Sequence, residues 1–392
     1  MPAADQPLWT SIAIERDIAA LEAPWRAFEE TALATPYQAY GWVRPFVETV
    51  GAAQGAEFRY ALLRDERGSL VALLPLAITR KRGISHGVFI GDKHSNYHMG
   101  LYAPGFASGL DAEQARRMLR EVGAAIGLDA LVFLNQPSSW QGIANPAALI
   151  AAGPSPSRAY KLALVPGDGE ATLKRSMSSH ARKKLKNKHN RFRDFGPSAL
   201  VHATTPEEIE RILDAFLAQK AERFRGMGVA DPFAERSVRS FLTQAATASG
   251  EHRRVVRLYA LELNGNYVAT YIGAVQGGRF SGMATSFDLS SPTARTSPGE
   301  ILLSELIRLQ SREGITVFDL GVGEARYKTS FCDDHDDLVD TFVALTLKGR
   351  LFTAVAQAKR ALKRRIKSSP AALKLAQLVA GRLKGRSAVE ED

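Results

Sequence analysis

The sequence predicts a mixed α/β (α+β) fold built twice in one chain. Three observations point there. The chain has 392 residues, enough for two domains of the usual roughly 100–200 residues, each able to bury a core. Its hydrophobic fraction is 45% and its charged fraction 23%, the balance of a globular protein. One order of elements, strand–strand–strand–helix–strand, also occurs in both halves. Val71–Ile78 answers to Tyr267–Val275, a helix at Ala112 to one at Pro298, and Leu131–Asn135 to Thr316–Leu320.

Each element has a local reason. Leu21, Trp25 and Phe28 fall at i, i+4 and i+7, a helical spacing that Pro36 closes, and Tyr40–Val50 is helical again. Strand-like runs follow at Phe58–Arg64, Leu70–Thr79, Gly87–Ile90 and His98–Tyr102. Asp111 stands as N-cap before a helix over Ala112–Ile126, and Ala130–Leu134 is a short apolar strand. Asn145–Ser157, rich in Pro, Ala and Ser, reads as a connection, so the first unit is set at 1–155. The second unit, 156–347, opens with a strand at Tyr160–Val165. One long basic helix over Glu170–Arg193 follows, then helices near Pro206–Arg223 and Ala234–Ala248. Val255–Leu263, Tyr267–Gln276 and Arg279–Phe287 are strands, the first two joined by an Asn264-Gly265 hairpin turn. A helix at Pro298–Glu313 and strands at Ile315–Leu320 and Val339–Leu347 complete the unit.

Residues 348–392 are set apart as a basic helical tail. The net charge is +10, and after Asp340 there are 12 Lys or Arg against three acids. The basicity therefore belongs to the tail. Leu351, Val355, Ala358, Leu362 and Ile366 form one helical stripe with Lys and Arg around it. After Pro370, Leu375, Leu378, Val379 and Leu383 resume it. Such a helix suits a peripheral anionic-membrane contact through 351–386; packing of the stripe on the body is the competing reading.

Several classes are set aside. The first residues show no basic and then apolar leader, and no apolar run approaches the roughly 18 residues of a membrane span. With one cysteine, Cys332, neither an intrachain disulfide nor a cysteine zinc site can be built. The expected location is cytoplasmic, with a peripheral place on the inner membrane face if the tail binds lipid. His86, Asp92, His94 and His98 lack the spacing of a known metal site, so no metal is expected. Cys332 would need a base such as His335 to act as nucleophile. The Lys174–Arg193 block reads as a solvated helix with a buried side, rather than a nucleic-acid contact.

Two stretches carry chemistry. In Arg295-Thr296-Ser297-Pro298-Gly299-Glu300, Ser297 is expected as N-cap, Pro298 at N1 and Glu300 at N3, a capping box. The helix entrance beside Gly299 would then seat a phosphate on its free N–H groups, with Arg295 adding charge. Phe318 to Phe331 follows a strand with an acid, Asp319, then Gly321, Gly323, Glu324, Tyr327 and Lys328. Strand ends of this kind bind ligands in open sheets. Lys328 could steady an oxyanion, Tyr327 could protonate a leaving thiolate, and Asp319 or Glu324 could take the acceptor's proton.

These residues carry a resemblance. Ser297-Pro298-Gly299, Asp319-Leu320-Gly321 and Tyr327-Lys328 with Phe331 are similar to the CelD-type acetyltransferases, a branch of the GNAT superfamily related to the FemAB peptidyltransferases. Arg182-Lys183-Lys184-Leu185, and Trp42 after Pro36-Tyr37, extend the likeness over roughly residues 20–345. The resemblance implies two tandem GNAT-like domains, the first on the acceptor side and the second on the acyl-donor side. It implies acyl transfer, acetyl in the family, from acyl-coenzyme A as co-substrate with no permanently bound cofactor. The acceptor it implies is an amine or hydroxyl of a saccharide or cell-envelope precursor, as in cellulose and other polysaccharide biosynthesis. In FemAB relatives an aromatic-Lys-x-x-Phe element brings a lysine to the reaction centre, and Lys328 matches it. Ser95-Asn96-Tyr97 resembles a Ser-Asp-Tyr element of the family. Asn cannot act as a base, so Asn96 and Tyr97 are read as acceptor contacts. Pro298 and Glu300 depart from the GNAT pyrophosphate loop, where small residues belong. The alternatives are a FemAB-like aminoacyl-tRNA-dependent transferase and a non-catalytic pseudoenzyme of polysaccharide synthesis.

Overall fold

The structure, a computed structural model, describes residues 8–247 and 255–368. The part of the expected tail that carries Leu375, Leu378, Val379 and Leu383 lies outside the described residues. Two sheets organise the rest. In the first, Ser11–Glu15, Glu57–Arg64, Leu70–Lys81 and Ile84–Phe89 pair antiparallel in sequence order. Ala130–Pro137 then joins Ile84–Phe89 in parallel. A parallel neighbour needs a crossover, and helix Ala112–Ile126 supplies it. Asp111 accepts from the Gln114 N–H while the Gln114 side chain accepts from the Asp111 N–H, so the sequence's N-cap becomes a full capping box.

The second sheet repeats this order. Ser198–His202, Val256–Leu263, Asn266–Gln276 and Arg279–Phe287 pair antiparallel. Helix Pro298–Arg312 crosses over to Val317–Val322, parallel to Arg279–Phe287. The mixed α/β architecture of two similar units expected from the sequence is thus present.

Each sheet then takes a strand from beyond its own set. Leu338–Ala344, which follows the whole second set in the chain, pairs antiparallel with Ala130–Pro137 of the first sheet. Ala159–Ala163, which follows the first set, pairs antiparallel with Val317–Val322 of the second. The 155/156 boundary falls between Gly153–Pro154 of the first sheet and Ala159–Ala163 of the second, but Leu338–Ala344, placed last in the second unit, completes the first sheet.

Helices Pro206–Gly226 and Arg236–Ala246 cover the face of the second sheet that meets the first half. Phe241 lies edge-on to Trp42 at 5.0 Å and to Phe46 at 5.6 Å, so one core runs through both halves. A second core lies on the opposite face, under helix Pro298–Arg312. The single basic helix expected over Glu170–Arg193 is two, Gly169–Ser176 and Ser179–Arg193. Met177 is extended and buried between them, and Ser178 starts the second by accepting from the Ala181 N–H. The His98–Tyr102 run shrinks to a Leu101–Tyr102 strand.

The chain's last described element is helix Leu347–Ser368. Arg360 donates from Nε to Asp340 at 2.6 Å and from an Nη to Asn135 at 3.0 Å. At its first turn a Cβ on Gly349 would lie 1.8 Å from the Asp129 carbonyl oxygen, so only glycine allows this approach. No helix among the described residues is long and apolar enough to cross a membrane.

Candidate active site

The site grows from the parallel pair of the second sheet. Arg279–Phe287 and Val317–Val322 are in register only from Arg279↔Val317 to Ser281↔Asp319. Past that point they part. Asn96, from the first half, stands in the gap. Its Nδ2 donates to the Gly282 carbonyl at 2.8 Å and to the Tyr37 hydroxyl at 2.6 Å, and its Oδ1 accepts from the Val322 N–H at 3.3 Å. A side-chain amide thus does there what a strand's backbone would do. Gly321, at φ 74°, is required by the same contact, since a Cβ would meet the Asn96 amide at 2.6 Å.

A cavity of about 360 Å³ opens at this gap, beneath helix Pro206–Gly226. Asn96, Glu324, Tyr327 and Lys328 line it, as do Lys220 and Arg223. The Lys328 Nζ donates to the Gly321 and Val322 carbonyls, both at 3.0 Å, leaving one N–H for a ligand. Burial brings its pKa down to about 8. Burial likewise raises the Tyr327 phenol, keeping it protonated at neutral pH. Glu324 is exposed at the rim.

Two expected members stand elsewhere. Asp319 is fully buried. It pairs with Arg279 at 3.1 Å and accepts from the Ser281 hydroxyl at 3.1 Å and the Gly321 N–H at 2.6 Å. These partners hold it away from the cavity, which it does not line. Tyr97 is buried, its hydroxyl 3.1 Å from Arg279, whose guanidinium also lies 4.2 Å from the Trp140 ring centre. Asn96 lines the cavity; Tyr97 supports the joint between halves.

Sequence reasoning missed Lys220 and Arg223. The Lys220 Nζ sits 5.1–5.7 Å from the ring centres of Phe216, Phe224 and Phe233. Burial first, then Arg223, lowers its pKa to about 8. Their i, i+3 spacing puts both on one side of the helix, but nothing in the sequence says that this side faces a cavity.

A second opening, about 610 Å³, lies at the start of helix Pro298–Arg312. Lys184, Lys188 and Arg191 from the basic helix face Arg295 and Ser297 across it. The capping box expected at Ser297 does not form. Ser297 is left-handed, at φ 61°, with no side-chain cap, and its N–H donates to the Ala294 carbonyl. Glu300 turns instead to Lys188 at 2.6 Å. The Glu300 N–H already donates to the Ser297 carbonyl, so the positive character of the opening comes chiefly from side chains. Ion pairing with Lys188 neutralises the Glu300 carboxylate, the residue most at odds with a phosphate there. Cys332 is half-buried and burial pushes its thiol up, while His335 turns to Asp337 at 3.6 Å rather than to the thiol. His98 bonds the Leu134 carbonyl through Nδ1 at 3.0 Å, and His94 packs among Phe46, Phe233 and Phe241.

Residues 179–329 match the acetyltransferase (GNAT) domain family model. They contain the basic helix, Lys220, Arg295 and Lys328. No curated protein matches the sequence. Among solved structures, FemX superimposes with a TM-score of 0.58 at 9% identity, over 88% of this chain and 100% of that one. A conserved protein of unknown function from Bacteroides thetaiotaomicron gives 0.53 at 14%, over 86% and 100%. L-PGS from Bacillus licheniformis gives 0.50 at 13%, over 88% and 98%. At such identities the likeness is one of fold. The domain match supports an acyltransferase, with an acetyltransferase (GNAT) domain over residues 179–329 in a chain whose two sheets repeat one order of elements.

Proposed function

We propose that the protein moves an acyl group, acetyl in the simplest case, from acyl-coenzyme A to an amine or hydroxyl of a saccharide or cell-envelope precursor, as in the CelD-type acetyltransferases. The observation that carries this reading is the pair of openings, one at the parted strands and one at the start of the helix that connects them. One is ringed by Lys184, Lys188, Arg191 and Arg295 and suits the donor's phosphates. The other, lined by Tyr327 and Lys328, suits the reacting centre. Holding donor and acceptor on one protein turns the transfer into an effectively intramolecular step.

In this mechanism the acceptor's nucleophile attacks the thioester carbonyl carbon. The free N–H of Lys328 holds the oxygen as it becomes an oxyanion. Glu324, at the rim, takes the acceptor's proton. The carbon–sulfur bond breaks as Tyr327 gives a proton to the departing thiolate, and Tyr327 is reprotonated from solvent. Asp319 instead holds Arg279 and the strand end in place. Catalysis at an inner membrane face, with the tail in contact with anionic lipid, belongs to the same reading.

Calorimetric titration of purified protein with acetyl-coenzyme A tests the donor. Binding is expected, and its absence would favour the aminoacyl-tRNA reading, which the same cation-rich opening also suits. Lys328→Ala should leave the circular dichroism spectrum unchanged and lower turnover at least about tenfold, or 1.4 kcal/mol. Wild-type turnover should fall as pH rises through about 8, where Lys328 loses its proton. Normal turnover in the folded variant would remove Lys328 from the mechanism.

A further inference from the structure

Helix Leu347–Ser368 presents the opposite of a packed amphipathic helix. Its apolar stripe is turned outward: Leu347 is 79% exposed, Leu351 71%, Val355 47% and Leu362 59%. At about 100° per residue, Arg360 lies about 180° round the helix from Leu351. Arg360 and Thr353 mark the side that faces the body, through Asp340, Asn135 and the buried Thr353 side chain. Arg364 adds a bond to the Pro154 carbonyl at 2.8 Å, and Lys367 bonds Ser157. The helix is pinned by these polar contacts and by Phe352, whose ring lies 4.6 Å from that of His86, and it shows the row from Leu347 to Leu362 to solvent. By the same geometry Lys348, Lys359 and Lys363 run along one flank of the stripe and Arg350 along the other. The helix contains no Asp or Glu.

Beside the first turn lies a cavity of about 720 Å³, lined by Arg116, Arg120, Arg350 and Leu347 with no acidic side chain. Arg116 is tied to Glu113 at 3.0 Å on the helix surface. The cavity therefore adjoins the head of the stripe, and three guanidinium groups border it.

We propose that this face docks on an anionic phospholipid bilayer. The row Leu347, Leu351, Val355 and Leu362 lies in the headgroup boundary, and Arg116, Arg120 and Arg350 receive a lipid phosphate. Charge complementarity selects this occupant: a second copy would bring its own uniformly basic helix against this one, whereas an anionic surface neutralises the flanks as the stripe is buried. This deepens the peripheral-membrane part of the reading above and is independent of its acyl-transfer chemistry.

The test is co-sedimentation of the full chain with vesicles of phosphatidylglycerol and phosphatidylcholine, against phosphatidylcholine alone. Binding is expected to the anionic vesicles, with release at high salt. Leu351→Glu with Leu362→Glu, at exposed positions that leave the fold intact, should reduce partitioning at least tenfold. Arg120→Gln with Arg350→Gln should weaken binding to the anionic vesicles about fivefold per charge lost and leave binding to phosphatidylcholine alone unchanged. Equal binding to both vesicle types overturns the proposal, as does binding indifferent to the Leu351/Leu362 pair. Binding of inorganic phosphate without vesicle binding overturns it too. So does a dimer, by light scattering, that the Leu351/Leu362 pair dissolves while vesicles are ignored. Protein that binds acetyl-coenzyme A yet ignores anionic vesicles refutes the membrane face and leaves the donor reading standing.

Discussion

Two lysines at the 360 Å³ cavity are held in surroundings that disfavour their charge. Burial lowers both Lys220 and Lys328 to about 8, below the usual value for a lysine near 10.4. The unfolded chain therefore binds more protons than the folded one between about pH 8 and pH 10.5, so stability rises with pH across that window. Below pH 8 the full cost is present. Lys220→Met keeps the contact with Phe216, Phe224 and Phe233 without the charge. At pH 7 it should raise stability on the order of 1–3 kcal/mol, with the gain fading toward pH 10.5 in denaturant titrations at both pH values. A loss of stability at pH 7 would show that the aromatic rings more than compensate the buried charge. Lys328 was legible in the sequence because it follows a strand end and two glycines. Lys220 was not, because a lysine inside an amphipathic helix has no local mark of burial.

At the scale of elements, a helix start and a basic helix that the sequence kept apart face each other. Lys184, Lys188 and Arg191 meet Arg295 and Ser297 only because the chain breaks at Met177-Ser178 and redirects the second helix. The sequence carried the N-cap Ser178, but the continuous run of basic residues hid it. Helix Ala112–Ile126, by contrast, was legible, because Asp111 and Gln114 cap its start and Gly127, left-handed, closes its end. Ser297 misled for a physical reason: Pro292–Thr296 forms a 3-10 turn that delivers the chain to Ser297 in a left-handed conformation, where its hydroxyl makes no cap. If the cations around this opening hold the donor, Arg295→Ala should weaken acetyl-coenzyme A binding several-fold and flatten its dependence on salt, with the melting temperature unchanged. Isothermal titration at two ionic strengths reads both, and an unchanged salt slope would place the phosphates elsewhere.

Over the whole molecule, the halves are joined through buried charge. Arg279 links Asp319 and Asp336 of the second sheet to Tyr97 and Trp140 of the first half. Removing it leaves the fully buried Asp319 without a cation, while Asp336 keeps Lys161. Arg279→Ala should therefore cost about 3–5 kcal/mol in equilibrium unfolding, far more than an exposed arginine, and Arg279→Lys should recover only part of it. A cost under about 1 kcal/mol would mean that water reaches the carboxylates. The repeated element order was visible from sequence alone, since hydrophobic period and turn residues are local. The partners of Ala159–Ala163 and Leu338–Ala344 were not, because a short apolar strand does not encode which sheet edge it will meet.

That exchange of strands sets a timetable for synthesis. Ala130–Pro137 is made early, yet its antiparallel neighbour Leu338–Ala344 emerges about two hundred residues later. At roughly 5–20 residues per second, the first sheet waits ten seconds or more with that edge unpaired. An open apolar edge is a template for pairing with another chain. The nascent first half is therefore a natural client for whatever shields exposed strands at the ribosome, and the protein completes its first sheet only after most of its second has been made.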